Sequence, residues 1–189
     1  MREALDLTKA AVAAFSRLEE VAPAIDAAAS AMIACLKGGG KIFFCGNGGS
    51  AADSIHLAAE FLGRFKLERD PLPAVALVDN LSAITAIAND YDYKDTFARQ
   101  FRGLGSKGDV LTGISTSGKS LNVIEAFRAA KEIGATTIAL TGAKESPLSE
   151  MADIAIMAPS AETPRIQEMH IAVGHIICEI AEKRLAREK

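Results

Sequence analysis

Apolar positions along this chain keep two different rhythms. From about Arg2 to Leu36, residues Leu5, Leu7, Val12, Phe15, Leu18, Val21, Ile25, Met32 and Ile33 fall on a broad helical stripe, and Pro23 predicts a break within it. Gly38, Gly39 and Gly40 end that helical region. The rhythm then shortens: Ile42, Phe43 and Phe44 form an apolar run of the length expected for a fully buried strand. A turn of Gly46, Asn47, Gly48, Gly49 and Ser50 follows, and an alanine-rich helix runs to about Phe65 before the loop Asp70 to Pro73. Ala74 to Val78 reads as a second strand, Ser82 to Ala88 as a short helix halted by Asn89 and Asp90, and Lys94 to Arg102 as a further helix. Asp109 to Ser115 is the third predicted strand, with a helix to about Ile133. Thr136 to Thr141 and Asp153 to Met157 are the fourth and fifth strands, and a long helix runs from about Thr163 to the C-terminus.

Strands alternating with helices imply right-handed crossovers and a parallel sheet with both faces covered, an α/β three-layer αβα sandwich. Ligands in such sheets bind beyond the carboxyl ends of the strands. The turns at Asn47 and Ser115 both stand at such ends. The long N-terminal helix needs a surface to cover, and another subunit is a reasonable candidate.

Composition narrows the class. With 189 residues the chain is read as one domain, 1–189, with a real core. Aromatic residues make up only 5% and there is no Trp, so that core must be built from Ala, Ile, Leu and Val. The net charge of −3 argues against a broad nucleic-acid surface. Cys35, Cys45 and Cys178 are scattered without a CxxC pair, which points to reduced thiols and a cytoplasmic location. The N-terminus has no signal-peptide pattern, and no apolar run approaches a membrane span.

Two turns carry candidate chemistry. Strand, glycine turn and helix in that order aim a helix N-terminus at whatever sits over Asn47, Gly48 and Gly49, favouring an anion or a hydroxylated ligand. The turn does not fit the dinucleotide fingerprint. His56 and Glu60 follow on that helix, about 40° apart around its axis and so on one side. The second turn, Ser115, Thr116, Ser117, Gly118, Lys119 and Ser120, gathers four hydroxyls at a helix start, which suits a phosphate. An ordinary helix cap needs only one. The Walker pattern is absent, disfavouring nucleotide hydrolysis. On the last helix Gln167 and His175 are separated by about 80° and share a side, while Glu168 and His170 fall elsewhere. Taken alone, His175 reads more readily as a core histidine satisfied by a partner.

GNGGSAADSIHLAAE, the AND of Ala88 to Asp90, GISTSGKSLN and RIQEMHIAVGHIICEI together resemble the sugar isomerase (SIS) fold, and more narrowly the phosphoheptose isomerases. The resemblance runs over nearly the whole chain. It implies an aldose–ketose isomerase that converts sedoheptulose 7-phosphate to D-glycero-D-manno-heptose 7-phosphate, the first step towards ADP-heptose and the lipopolysaccharide core. It also implies a homotetramer and one zinc ion per site, held by residues matching His56, Glu60, Gln167 and His175. Substrate contacts match Asn47, Gly48, Gly49, Glu60, Asn89, Asp90, Ser115, Thr116, Ser117, Ser120 and Gln167, and Arg64 matches a nearby arginine. Some members carry Asp where this chain has Pro164, leaving Glu162 as the neighbouring acid.

The side chains suit the implied chemistry. A proton must move between C1 and C2, which needs a positioned base and acid, read here as Glu60 and His175. A set of two His, one Glu and one Gln is an N/O site suited to zinc. Two readings compete with the enzyme. One relative of this fold binds the replication initiator without catalysis, with the positions of Glu60 and His175 replaced. Other SIS modules only sense a sugar phosphate.

Overall fold

The computed structural model, which describes residues 2–186, turns the short apolar runs into five parallel strands. These are β1 (Ile42–Gly46), β2 (Ala74–Ala76), β3 (Val110–Ile114), β4 (Thr136–Gly142) and β5 (Ile154–Ala158), in the spatial order β2-β1-β3-β4-β5. β1 and β3 are buried along their whole length, which is why neither alternates between apolar and charged residues, although β3 buries Thr112 within its run. Gly46 pairs with Ile114, so β1 and β3 end level, and Ile114 pairs with Leu140, two residues before the end of β4.

Helices cover both faces, as expected. On one face α2 (Ala22–Lys37), α3 (Gly49–Leu62) and α8 (Thr163–Ala186) pack Met32, Leu57, Phe61, Val173 and Ile177 onto Phe44, Ile114 and Leu140. On the other, α5 (Thr96–Leu104), α6 (Leu121–Ile133) and α7 (Pro147–Met151) pack Phe97, Phe101, Phe127 and Leu148 onto Phe43, Leu111 and Ala139. Alternate residues of a strand point to opposite faces, so Phe43 and Phe44 serve different layers. Burying each contributes about 1.5–3 kcal/mol. The chain leaves β1 for α3 on one face and β3 for α6 on the other. The order therefore reverses between β1 and β3, and a crevice opens there at the carboxyl ends.

α3 and α8 run in close contact. A Cβ on Gly174 would lie 2.5 Å from Leu57 Cδ2, so only glycine permits this approach. That contact places the two helices carrying the predicted metal ligands side by side.

Three local expectations are corrected, while the break near Pro23 is present: α1 (Arg2–Phe15) gives way to a 3-10 segment, Ser16–Val21, and α2 starts at Ala22 with Pro23 in its first turn, where a missing N–H costs nothing. α4 (Leu81–Asp90) is not halted by Asn89 and Asp90 but contains them. The next helix is preceded by a 3-10 turn, Tyr93–Asp95, and starts at Thr96 rather than Lys94. α7 was not expected: a single turn has little periodicity, although Ser146 before Pro147 is a cap signal, and Ser146 and Ser149 close a capping box. No residue of α1 is buried, and Leu5, Leu7 and Val12 on its stripe are more than half exposed.

Candidate active site

The crevice is lined first by two glycine turns. Gly48, at φ 57°, stands before α3 and gives it no side-chain cap, while the N–H groups of Ser50 and Ala51 bond the carbonyls of Asn47 and Gly48. Asn47 is fixed from two sides: its Oδ1 accepts from Tyr93 Oη at 2.8 Å and from Asn122 Nδ2 at 2.8 Å. Its Nδ2 donates to Asn122 Oδ1 at 2.9 Å. At the second turn Ser115 and Ser120 share a hydroxyl hydrogen bond of 3.0 Å. Ser120 is the residue before α6, yet its hydroxyl makes no cap to that helix. Ser117 Oγ accepts from the N–H of Lys119 at 3.2 Å. Gly118 has φ 62°, and a Cβ there would lie 2.0 Å from Ser146 Oγ. Thr116 and Ser117 border a cleft of about 310 Å³ whose walls include Lys119, Gly142, Lys144 and Ser160.

Behind the first turn, α3 and α8 bring three ionisable groups together. His56 Nε2 lies 2.9 Å from His175 Nε2 and 3.2 Å from Glu60 Oε1. One ligand atom from each of the three lies within 4.8 Å of the others. Tetrahedral zinc with bonds of about 2.0–2.1 Å spaces its ligands by about 3.3 Å, so this donor set fits. Gln167 stands beside it. Its Nε2 donates to both oxygens of Asp53, at 2.7 and 2.9 Å, which leaves its carbonyl oxygen unengaged by that pair. Burial raises the Asp53 pKa above its ordinary value, while the Gln167 hydrogen bond and the two imidazoles pull it back. Phe65 stacks on His175, ring centroids 5.5 Å apart.

A comparison with known families matches the SIS domain over residues 7–142. A phosphoheptose isomerase of Rhodospirillum rubrum is 52% identical over 90% of this chain and 91% of its own length. The chain belongs to the SIS domain family, among its phosphoheptose isomerases. A solved phosphoheptose isomerase from Neisseria gonorrhoeae is 42% identical, with a TM-score of 0.91 over 96% of this chain and 98% of that one. Another, from Francisella tularensis, is 36% identical with a TM-score of 0.93, covering 96% and 97%. The five-stranded parallel sheet between two helical layers is the SIS fold.

Within this SIS domain the structure gathers some of the expected residues and leaves others apart. His56, Glu60 and His175 converge, Gln167 adjoins them, and Gly49 lies against the Gln167 side chain. Asn89 and Asp90 hydrogen-bond each other, at 2.9 Å, at the exposed end of α4. Arg64 faces Glu68 at 3.6 Å on the surface. Glu162, beside Pro164, is exposed. His170 is the core histidine: fully buried, with Nε2 donating to the Thr141 carbonyl at 3.0 Å. The three cysteines are free and buried, and burial pushes the Cys178 thiol up to about 12, so no thiolate joins the cluster. Sequence reasoning missed Asp53, Tyr93, Asn122 and Phe65. Only Asp53 carried a signal, lying three residues before His56 on the same helix.

Proposed function

We propose that this chain is a zinc-dependent phosphoheptose isomerase that interconverts sedoheptulose 7-phosphate and D-glycero-D-manno-heptose 7-phosphate. The observation that carries the reading is the convergence of His56, Glu60 and His175 on α3 and α8, in a fold whose α3 and α6 start without a side-chain cap from Gly48 or Ser120. The relatives named above support the substrate class.

The phosphate would sit over the Ser115–Ser120 turn, where Thr116, Ser117 and the N-terminus of α6 offer donors. The sugar would extend towards Asn47, Gly48 and Gly49, with Asn89 and Asp90 as hydroxyl contacts. His56, Glu60, Gln167 and His175 would hold the zinc. Bound there, zinc polarises the sugar carbonyl and supports the negative charge that develops on its oxygen. Glu60, with Oε1 turned to His56, has Oε2 left to take the proton from C1 or C2 and return it to the other carbon. His175 moves the second proton between the two oxygens, and the Phe65 stack restrains the tilt of its ring.

Residues 1–189 are read as one SIS domain acting as a homotetramer in the cytoplasm. The bare stripe of α1 supports assembly, and Ile55 and Leu62, both exposed on α3, extend apolar surface beside the cluster. No helix among the described residues is long and apolar enough to cross a membrane. The test is to incubate the protein with sedoheptulose 7-phosphate, with and without zinc, and follow the sugars by NMR. An aldoheptose 7-phosphate forming only with zinc supports the reading. An unchanged ketose under both conditions contradicts it and favours a binding module.

A further inference from the structure

Two buried residues outside the site, Arg69 and Glu182, form a cross-tie between the helices that carry it. Glu182, on α8 and 2% exposed, accepts four hydrogen bonds. Three come from successive backbone N–H groups, Phe65 at 3.0 Å, Lys66 at 2.7 Å and Leu67 at 2.9 Å, and the fourth from Arg69 Nε at 3.1 Å. The Arg69 side chain is 8% exposed. Its Nη2 donates to the Glu60 carbonyl at 2.7 Å, and its Nη1 to the carbonyls of Phe61, Gly63 and Asp70 at 2.9, 3.1 and 3.0 Å. Arg69 thus takes up carbonyls at the last turn of α3, of which that of Phe61 also accepts from the N–H of Leu72 at 3.0 Å.

The placement bears on the cluster at both ends. The Glu60 peptide itself is held by Arg69. Glu182 lies seven residues beyond His175, about two turns along the same face of α8. The N–H of Phe65 is bound by Glu182, while its ring stacks on His175. The Gly174–Leu57 contact fixes how closely α3 and α8 approach, and the Gln167–Asp53 hydrogen bonds tie them on one side of the cluster, so the cross-tie supplies a second fixed point on the other side. A metal site tolerates errors of only about 0.2 Å in its ligand distances.

We propose that Arg69 and Glu182 are positioning residues that set the axial register of α3 against α8. They thereby fix the distance between the His56–Glu60 pair and His175, and the seat of Phe65. The catalytic consequence rests on the zinc isomerase reading above, whereas the geometric one does not.

The test uses Arg69→Lys and Glu182→Gln in the full chain. A lysine can pair with Glu182 but cannot reach four carbonyls, and a glutamine keeps the shape but replaces two acceptor oxygens by one. Zinc affinity is measured by competition with a chelating dye, well below each variant's melting temperature. It should fall by at least ~10-fold, the usual effect of a group that orients metal ligands. Turnover should fall with little change in KM. In the metal-free protein, the ¹⁵N resonances of the His56 and His175 rings should lose the signature of their mutual hydrogen bond. A folded variant with parental zinc affinity and parental ring resonances overturns the proposal. So does failure of both variants to fold, which would assign the cross-tie to stability alone. If the parent takes up no zinc, the isomerase reading fails instead, and the ring resonances still decide the geometric proposal.

Discussion

Acidification should cost this protein stability through one residue in particular, His170. Its Nε2–H donates to the Thr141 carbonyl, and its Nδ1 is buried without a partner. Protonating Nδ1 would bury a charged N–H with no acceptor, so the ring stays neutral in the fold. Burial lowers its pKa from the ordinary 6.5 to about 4, against a smaller upward pull from the Thr141 carbonyl. The unfolded chain therefore binds a proton that the native chain refuses. The contribution is fully present above about pH 6.5 and is lost as the pH falls towards 4. At pH 4.5 the two pKa values correspond to a loss of about 2–3 kcal/mol relative to neutral pH. Urea unfolding of the metal-free protein at fixed concentration, at pH 7 and pH 4.5, measures it. Carboxylates held low in the fold, such as Asp153, lose stability over part of the same range. The comparison is therefore with His170→Gln, which can still donate to Thr141 but does not titrate. The variant should be less stable at pH 7, yet lose about 2–3 kcal/mol less on acidification. Equal losses in both proteins would refute the argument.

Three further outcomes are expected. Gly118→Ala places a side chain at φ 62° and 2.0 Å from Ser146 Oγ. Strain and a displaced α7 cap should together cost about 2–4 kcal/mol by urea titration, with a raised KM for the sugar phosphate. Ser117→Ala combined with Ser120→Ala should raise that KM while leaving zinc content parental; an unaltered KM would remove the phosphate from this turn. Sedimentation at micromolar concentration should give a species well above the 19.9 kDa of one chain, and a monomer would contradict assembly through α1.

The layers were legible because strands and helices alternate along the chain and β1 reads as an unbroken apolar run, whereas strand order and register left no mark in the sequence. Element ends were less legible. Pro23 is compatible both with breaking a helix and with starting one, and only the packing of Ile25 and Ala28 onto the sheet decides for the start. In the site, His56 and Glu60 were visible as a spacing on one helix. Their meeting with His175 depends on the close approach at Gly174, which no periodicity reports. Glu182 was illegible, and Asp53 offered only its spacing from His56, for a simpler reason: in sequence a buried carboxylate looks like any exposed one. What distinguishes them are partners 114 residues away for Asp53 and 113 to 117 away for Glu182. Arg69 is hidden in the same way, in a loop that read only as a connection.

The central claim is that Glu60 moves a carbon-bound proton of a heptose phosphate. Solvent deuterium incorporation at C1 or C2 during isomerisation, with zinc supplied, tests it most directly when the parent and Glu60→Gln are compared. The parent should isomerise and exchange. Glu60→Gln should keep its assembly and bind substrate, but lose at least ~10²-fold in both rates. Parental turnover and exchange in Glu60→Gln would show that Glu60 is not the base. A parent with neither isomerisation nor exchange would contradict the catalytic account as a whole.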